Sequence, residues 1–193
     1  MLRALAITMG LLIIGLTAAG QGNQATAGWT TLFDGKSLAA FNTVGDANWQ
    51  LVDGVVQANK GTGFLVTKSS YADFQLKAEF WVDDDANSGI FIRCENPQQI
   101  TAMNAYEVNI YDKRPDPAYA TGGIVDVAKP STMLKAGGKW NTYEITALGS
   151  HLVVTLNGTR TVDIQHTGHA RGPIGLQYGA GTVKFRNVQI KPL

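Results

Sequence analysis

From Phe74 to Val82 apolar and polar residues alternate without a break. Phe74, Leu76, Ala78, Phe80 and Val82 fall on one side, and Gln75, Lys77, Glu79 and Trp81 on the other. Period-two alternation belongs to a strand with one buried face, because successive side chains point to opposite sides of a pleated sheet. The same signature recurs to the C-terminus. The runs 29–32, 49–52, 55–58, 64–67, 74–82, 89–94, 105–111, 123–127, 141–147, 152–156, 161–164, 174–178 and 183–190 all read as strands. Asp53-Gly54 and Asn157-Gly158 each stand between two such runs, where two-residue hairpin turns need residues that tolerate positive φ. Beyond residue 27 no segment holds a helical period over three turns. Many short strands with regular turn signals predict an all-β chain, either a two-sheet sandwich or a barrel.

The first 27 residues do not belong to that pattern. Met1-Leu2-Arg3 is a short basic start, Ala4 to Ala19 is almost wholly apolar, and Ala25-Thr26-Ala27 offers a small-residue cleavage site before Gly28. Basic start, apolar stretch and small-residue exit together predict a secretory leader over 1–27, followed by one β-sandwich domain over 28–193. The expected location is therefore the periplasm or the extracellular medium, with no stable membrane span once the leader is removed. Loss of Arg3 with the leader leaves 15 basic residues against 15 acidic ones. A balanced chain without basic runs argues against nucleic acid and against an anionic membrane surface as partners. Cys94 is the single cysteine, so no internal disulfide forms. Its parity places it with Ile90 and Ile92 as a small buried apolar residue.

Two strands carry unusual polar faces. In Asn87-Ser88-Gly89-Ile90-Phe91-Ile92-Arg93, Ile90 and Ile92 share one side while Phe91 and Arg93 share the other. In Tyr106-Glu107-Val108-Asn109-Ile110, Tyr106, Val108 and Ile110 oppose Glu107 and Asn109. An ordinary solvated face would carry Lys, Thr and Ser. One Arg, one Glu and amides beside an aromatic ring instead suggest a groove for a polar ligand, of the kind by which sandwich proteins hold sugars.

A dozen short motifs between Trp29 and Leu193 resemble, in order, the 3-keto-disaccharide hydrolase family. The opening is Leu32-Phe33-Asp34-Gly35-Lys36-Ser37-Leu38, then Trp49 with Asp53-Gly54, then Asp73-Phe74. The middle is Asn87-Ser88-Gly89-Ile90 with Arg93, then Tyr106-Glu107-Val108-Asn109-Ile110 and Thr121-Gly122. The end is Trp140-Asn141, Leu156-Asn157-Gly158, Gly172-Pro173-Ile174 with Leu176-Gln177, and Phe185-Arg186-Asn187-Val188. The resemblance implies a concanavalin-A-like jelly roll, of the lectin and glucanase type, whose concave sheet holds the carbohydrate. It further implies cleavage of glycosides oxidised at carbon 3, by elimination and hydration or by net hydrolysis. Asn109 stands where the family commonly has Gln, and Tyr178-Gly179-Ala180-Gly181 follows Leu176-Gln177 where the family often has a His.

On that reading the 3-keto group acidifies the carbon-2 proton, and the reaction needs a base, a cation for the enolate and an acid for the leaving oxygen. Glu107 is the expected base or acid, since mid-strand burial would raise its pKa. Arg93 is the expected cation, with a cross-strand Arg93–Glu107 ion pair as its structural alternative. Asn109, Gln177 and Asn87 would bind sugar hydroxyls. Trp81 is either a stacking platform for a sugar ring or packing against the loop that follows it. No cofactor is required, and the reading leaves room for a divalent metal. The loop Asp83-Asp84-Asp85-Ala86-Asn87-Ser88 lacks the Gly and Glu of an EF-hand and reads as a solvated turn. His166 and His169 lack a visible third ligand. No G-x-S-x-G, H-E-x-x-H or phosphate-cradling loop occurs in residues 28–193. An ordinary glycosidase is disfavoured because Glu107-Val108-Asn109-Ile110-Tyr111 supplies one carboxylate where sandwich glucanases use several. A non-catalytic carbohydrate-binding domain on the same fold is the alternative function.

Overall fold

The computed structural model describes residues 28–193. The expected leader and its cleavage site lie outside the described residues. Thirteen strands follow in chain order: β1 (Thr30–Phe33), β2 (Phe41–Gly45), β3 (Gln50–Val52), β4 (Val55–Ala58), β5 (Gly63–Thr67), β6 (Phe74–Val82), β7 (Ser88–Ile92), β8 (Tyr106–Ile110), β9 (Trp140–Leu148), β10 (His151–Leu156), β11 (Thr159–Gln165), β12 (Gly175–Tyr178) and β13 (Val183–Pro192). Helical geometry among the described residues is confined to one 3-10 turn, Pro117–Tyr119, where the Asp116 side chain accepts from the Ala118 amide.

The strands form two antiparallel sheets. One runs β11-β10-β9-β6-β13-β4-β3, with β1 also paired to β13; the other runs β2-β5-β12-β7-β8. The alternation that begins at Phe74 explains the first sheet's inner face. Phe74, Leu76, Ala78, Phe80 and Val82 are all buried, while Gln75, Lys77, Glu79 and Trp81 are half-exposed. Phe80 stacks on Tyr143 at 5.0 Å between ring centres. Ile90, Ile92, Val108, Ile110 and Leu176 from the second sheet close the same core. Burial of each such side chain is worth roughly 1.5–3 kcal/mol before chain entropy is set against it. The fold is thus the two-sheet jelly-roll sandwich expected.

Both hairpin turns form as the sequence predicts. Asp53 and Asn157 take φ of 49° and 51°, followed by Gly54 and Gly158 at 77° and 80°. One expectation fails, and one strand lies outside the runs read from the sequence. Residues 123–127 are not a strand: Ile124 makes only isolated bridges to Val108 and Ala128, and Asp126 takes φ 59° at a tight turn. Phe41–Gly45 is a strand that its own alternation does not announce. It is the edge of the smaller sheet, held by pairing with β5, and its middle residues are largely exposed.

Candidate functional site

The registers of the smaller sheet fix which side chains share its outer face. Val44, Phe64, Gln177, Gly89 and Asn109 form one row across the five strands. Asn42, Val66, Gly175, Phe91 and Glu107 form the next. Two glycines therefore leave gaps in an otherwise populated surface. Phe64 and Phe91 meet edge to face over the Gly175 gap, with centroids 5.1 Å apart. A Cβ on Gly175 would lie 3.3 Å from both the Phe64 ring and Ile100, so this gap is filled. Ile100 comes from the loop after β7, which folds back over the sheet and buries a second apolar cluster of Val66, Phe91, Cys94, Ile100 and Ala105.

The Gly89 gap has Glu107 on one side and Gln177 on the other. The point a Gly89 Cβ would occupy lies 3.3 Å from Glu107 Cγ, and Gln177 is the next residue along the row on the opposite side. Gln177 and Asn87 line one hollow of about 410 Å3 with Gln98 and Gln99, beside Val44 and Phe64. Gln177 Oε1 is buried with no hydrogen-bond partner among the described residues. An acceptor left unpaired in this way costs free energy that an incoming hydroxyl donor would recover. Asn87 is anchored through its backbone, donating to Ala180 O at 3.2 Å and accepting from Gly179 N at 2.9 Å, which leaves its amide to the hollow.

Glu107 is buried on this face beside the Gly89 gap and is not one of the residues lining the hollow; among the described residues no carboxylate or cation is hydrogen-bonded to it. Burial pushes its pKa up to about 7; the positive charge of Arg114 opposes the rise and the negative charge of Asp126 adds to it. A carboxyl group poised there exchanges protons near neutrality, as general acid–base work requires. Asn109 is wholly buried beneath the 111–130 segment. Its Nδ2 donates to Tyr119 O at 2.5 Å and its backbone carbonyl accepts from Tyr143 Oη at 2.6 Å, while its Oδ1 has no partner among the described residues. It holds the covering segment rather than lining the open hollow.

Arg93 is not beside Glu107. It takes φ 55°, which interrupts the alternation and turns its side chain inward, where it is 1% exposed. Its guanidinium donates to Ala72 O and Gly149 O at 2.8 Å each and to His169 O at 3.1 Å, and it pairs with Asp73 at 3.2 Å. Arg93 thus ties the end of the smaller sheet to the start of β6 and to the β9–β10 turn. The expected Arg93–Glu107 contact, catalytic or structural, is replaced by this clasp. The same left-handed residue moves Cys94 to the outer-face cluster, not the core of Ile90 and Ile92. Cys94 is buried there, and burial raises its thiol to about 12, so it is an inert apolar residue.

Trp81 lies on the other sheet. It pairs directly with Trp140 across β6–β9, and Lys184 Nζ sits 4.6 Å from its ring centre. Period-two parity assigns a face but not a sheet, and Trp81 therefore does not reach Glu107 or Gln177. Arg114 is the guanidinium that sequence alone missed. It follows β8 by four residues in a segment without periodicity, and its only signal was proximity to Glu107 along the chain. Among the described residues, no three His, Cys, Asp or Glu side chains are grouped to hold a metal ion.

Solved structures share this architecture. Two proteins of Parabacteroides distasonis ATCC 8503, each provisionally described as a glycosyl hydrolase, superpose with TM-scores of 0.77 and 0.73. The first is 22% identical over 86% of this chain and 94% of its own; the second is 27% identical over 86% and 99%. The carbohydrate binding module CBM66 from Bacillus subtilis has a TM-score of 0.61 at 18% identity, covering 85% of this chain and 95% of its own. No curated protein matches the chain. Residues 28–191 match the model of the 3-keto-alpha-glucoside-1,2-lyase-like domain, and the chain belongs to that family.

Proposed function

We propose that this protein cleaves glycosides oxidised at carbon 3, on the outer face of the smaller sheet and over Gly89. Family membership and the glycosyl hydrolase relatives support a carbohydrate-related role. The observation that carries the finer reading is Glu107: a buried carboxyl group with pKa about 7, set against the gap that Gly89 leaves, with an unpaired amide oxygen on the far side. Ionised Glu107 removes the proton from carbon 2. The electron pair of that C–H bond forms the enolate, and its collapse expels the carbon-1 oxygen, which takes up a proton as the free sugar. The product is a 3-keto enone; addition of water across its double bond gives the 3-keto sugar, so the two steps sum to hydrolysis. Arg114, whose positive charge is felt at Glu107, offsets the negative charge that develops on the enolate oxygen. Gln177 and Asn87 orient the ring through its hydroxyls.

The residues named need no metal for this sequence of steps. Residues 1–27 are proposed to direct export, which the mass of the secreted protein tests. Supplied with 3-keto-trehalose and 3-keto-sucrose, the purified protein is expected to release free glucose or fructose with a 3-keto product, and Glu107→Gln to abolish release. The neutral amides around the hollow favour one other reading, a non-catalytic carbohydrate-binding domain. Saturable sugar binding with no turnover of either keto-disaccharide would select it.

A further inference from the structure

A second hollow of about 320 Å3 lies on the same outer face, on the other side of the loop that carries Ile100. Val44 and Gln98 line both hollows, so the two are compartments of one groove. Their chemistry differs. The compartment beside Gln177 is walled by amides, glycines and aromatic rings, with no Asp, Glu, Lys, Arg or His. The other holds Lys68 and Arg171, with Glu95 and the outer-face residues Asn42 and Val66.

The two cations are not committed elsewhere. Among the described residues, neither Lys68 nor Arg171 has a carboxylate within ion-pair distance, and Arg171 donates only to the Ser70 carbonyl at 3.1 Å. Glu95, the single acid of this compartment, lies with its Oε1 3.1 Å from His169 Nδ1. The compartment thus presents two exposed cations against one carboxylate that already has a neighbour. Resting on the function proposed above, we infer that the groove accepts a substrate of two sugar units, and that the second unit carries an anionic group, a carboxylate or a sulfate, facing Lys68 and Arg171. The keto ring lies over Gly89 beside Glu107, Gln177 leads from there into the neutral compartment, and the charged compartment beyond selects what is attached.

The test compares kcat/KM for 3-keto-trehalose with that for two derivatives bearing, on the second ring, a carbon-6 carboxylate or a 6-sulfate. Exposed ion pairs of this kind contribute little each and are screened by salt, so an advantage of about five-fold is expected at low ionic strength, falling toward unity at 0.5 M salt. The carboxylate arm against the sulfate arm identifies which anion the pair of cations prefers. In the double variant Lys68→Met, Arg171→Met the advantage is expected to vanish, each derivative falling to the kcat/KM that the variant itself shows for 3-keto-trehalose. Both side chains are exposed, so the variant retains the fold. Equal values for all three compounds in the unmodified protein, or an advantage that survives the double variant, would overturn the inference and leave the proposed reaction standing. Absence of turnover with every compound defeats the reaction instead. In that event the ratio of calorimetric dissociation constants for the same three compounds decides the charged compartment by the same criterion.

Discussion

Glu107 and Gly89 sit diagonally across the β7–β8 ladder, with Glu107 Cγ 3.3 Å from the point where a Gly89 side chain would begin. Gly89 does not have a positive φ, so the backbone does not demand glycine here. What demands it is space beside the carboxylate. Gly89→Val is therefore expected to keep the fold, at a cost of roughly 1–2 kcal/mol from crowding Glu107 and Phe91. Keto-disaccharide turnover should drop at least about ten-fold, since the added methyl groups occupy the place of the sugar ring. Thermal unfolding and kcat/KM together check this; unchanged turnover in a folded Gly89→Val protein would remove the site from this gap.

The raised pKa of Glu107 has a definite consequence for stability. An unfolded glutamate ionises near 4.5, whereas the folded one holds its proton to about 7. Between those values the folded state binds more protons than the unfolded state, so stability falls as pH rises through that window and levels off above it. The full penalty is on the order of 3 kcal/mol. Glu107→Gln is expected to abolish this slope and to unfold at higher denaturant concentration than the unmodified protein at pH 8. Paired denaturation curves at pH 4.5 and 8 measure it.

Activity should follow the opposite trend. Because the base form of Glu107 abstracts the proton, kcat/KM is expected to rise about ten-fold per pH unit below a midpoint near 7 and then level off. A pH-independent profile between 5 and 8 would assign the proton transfer to another group.

Arg93 makes a structural prediction where the sequence suggested a catalytic one. Arg93→Met strips donors from Ala72 O, Gly149 O and His169 O. Breaking a buried charged network of this kind costs about 3–5 kcal/mol. The variant is expected to lose soluble yield or unfold at low denaturant. In the fraction that remains folded, turnover per native molecule should match the unmodified protein.

Gln177 offers the converse case. Its Oε1 has no partner among the described residues, so Gln177→Leu forfeits no hydrogen bond there and should change stability by less than about 1 kcal/mol. Sugar affinity should fall by roughly ten-fold, the worth of a hydrogen bond that a buried acceptor would otherwise regain. Titration calorimetry with the keto-disaccharide distinguishes this from a packing defect.

The sequence by itself determined the local rules of this protein. Alternation from Phe74 to Val82 named the buried side chains of β6 correctly, and Asp53-Gly54 and Asn157-Gly158 marked two hairpins, because both signals depend only on the pleat and on φ tolerance at neighbouring residues. The placement of Glu107 and Asn109 away from the core followed from the same parity. Tertiary structure decided the rest. A single left-handed residue at Arg93 reversed the parity beyond β7 and sent that side chain, with Cys94, to environments that spacing had not indicated. Sheet membership separated Trp81 from the site, since a period of two tells faces apart but is silent on which of two sheets a strand joins. Arg114 and the charged compartment of Lys68 and Arg171 come from irregular segments. Their positions are set by what they cover, and no pattern along the chain encodes that.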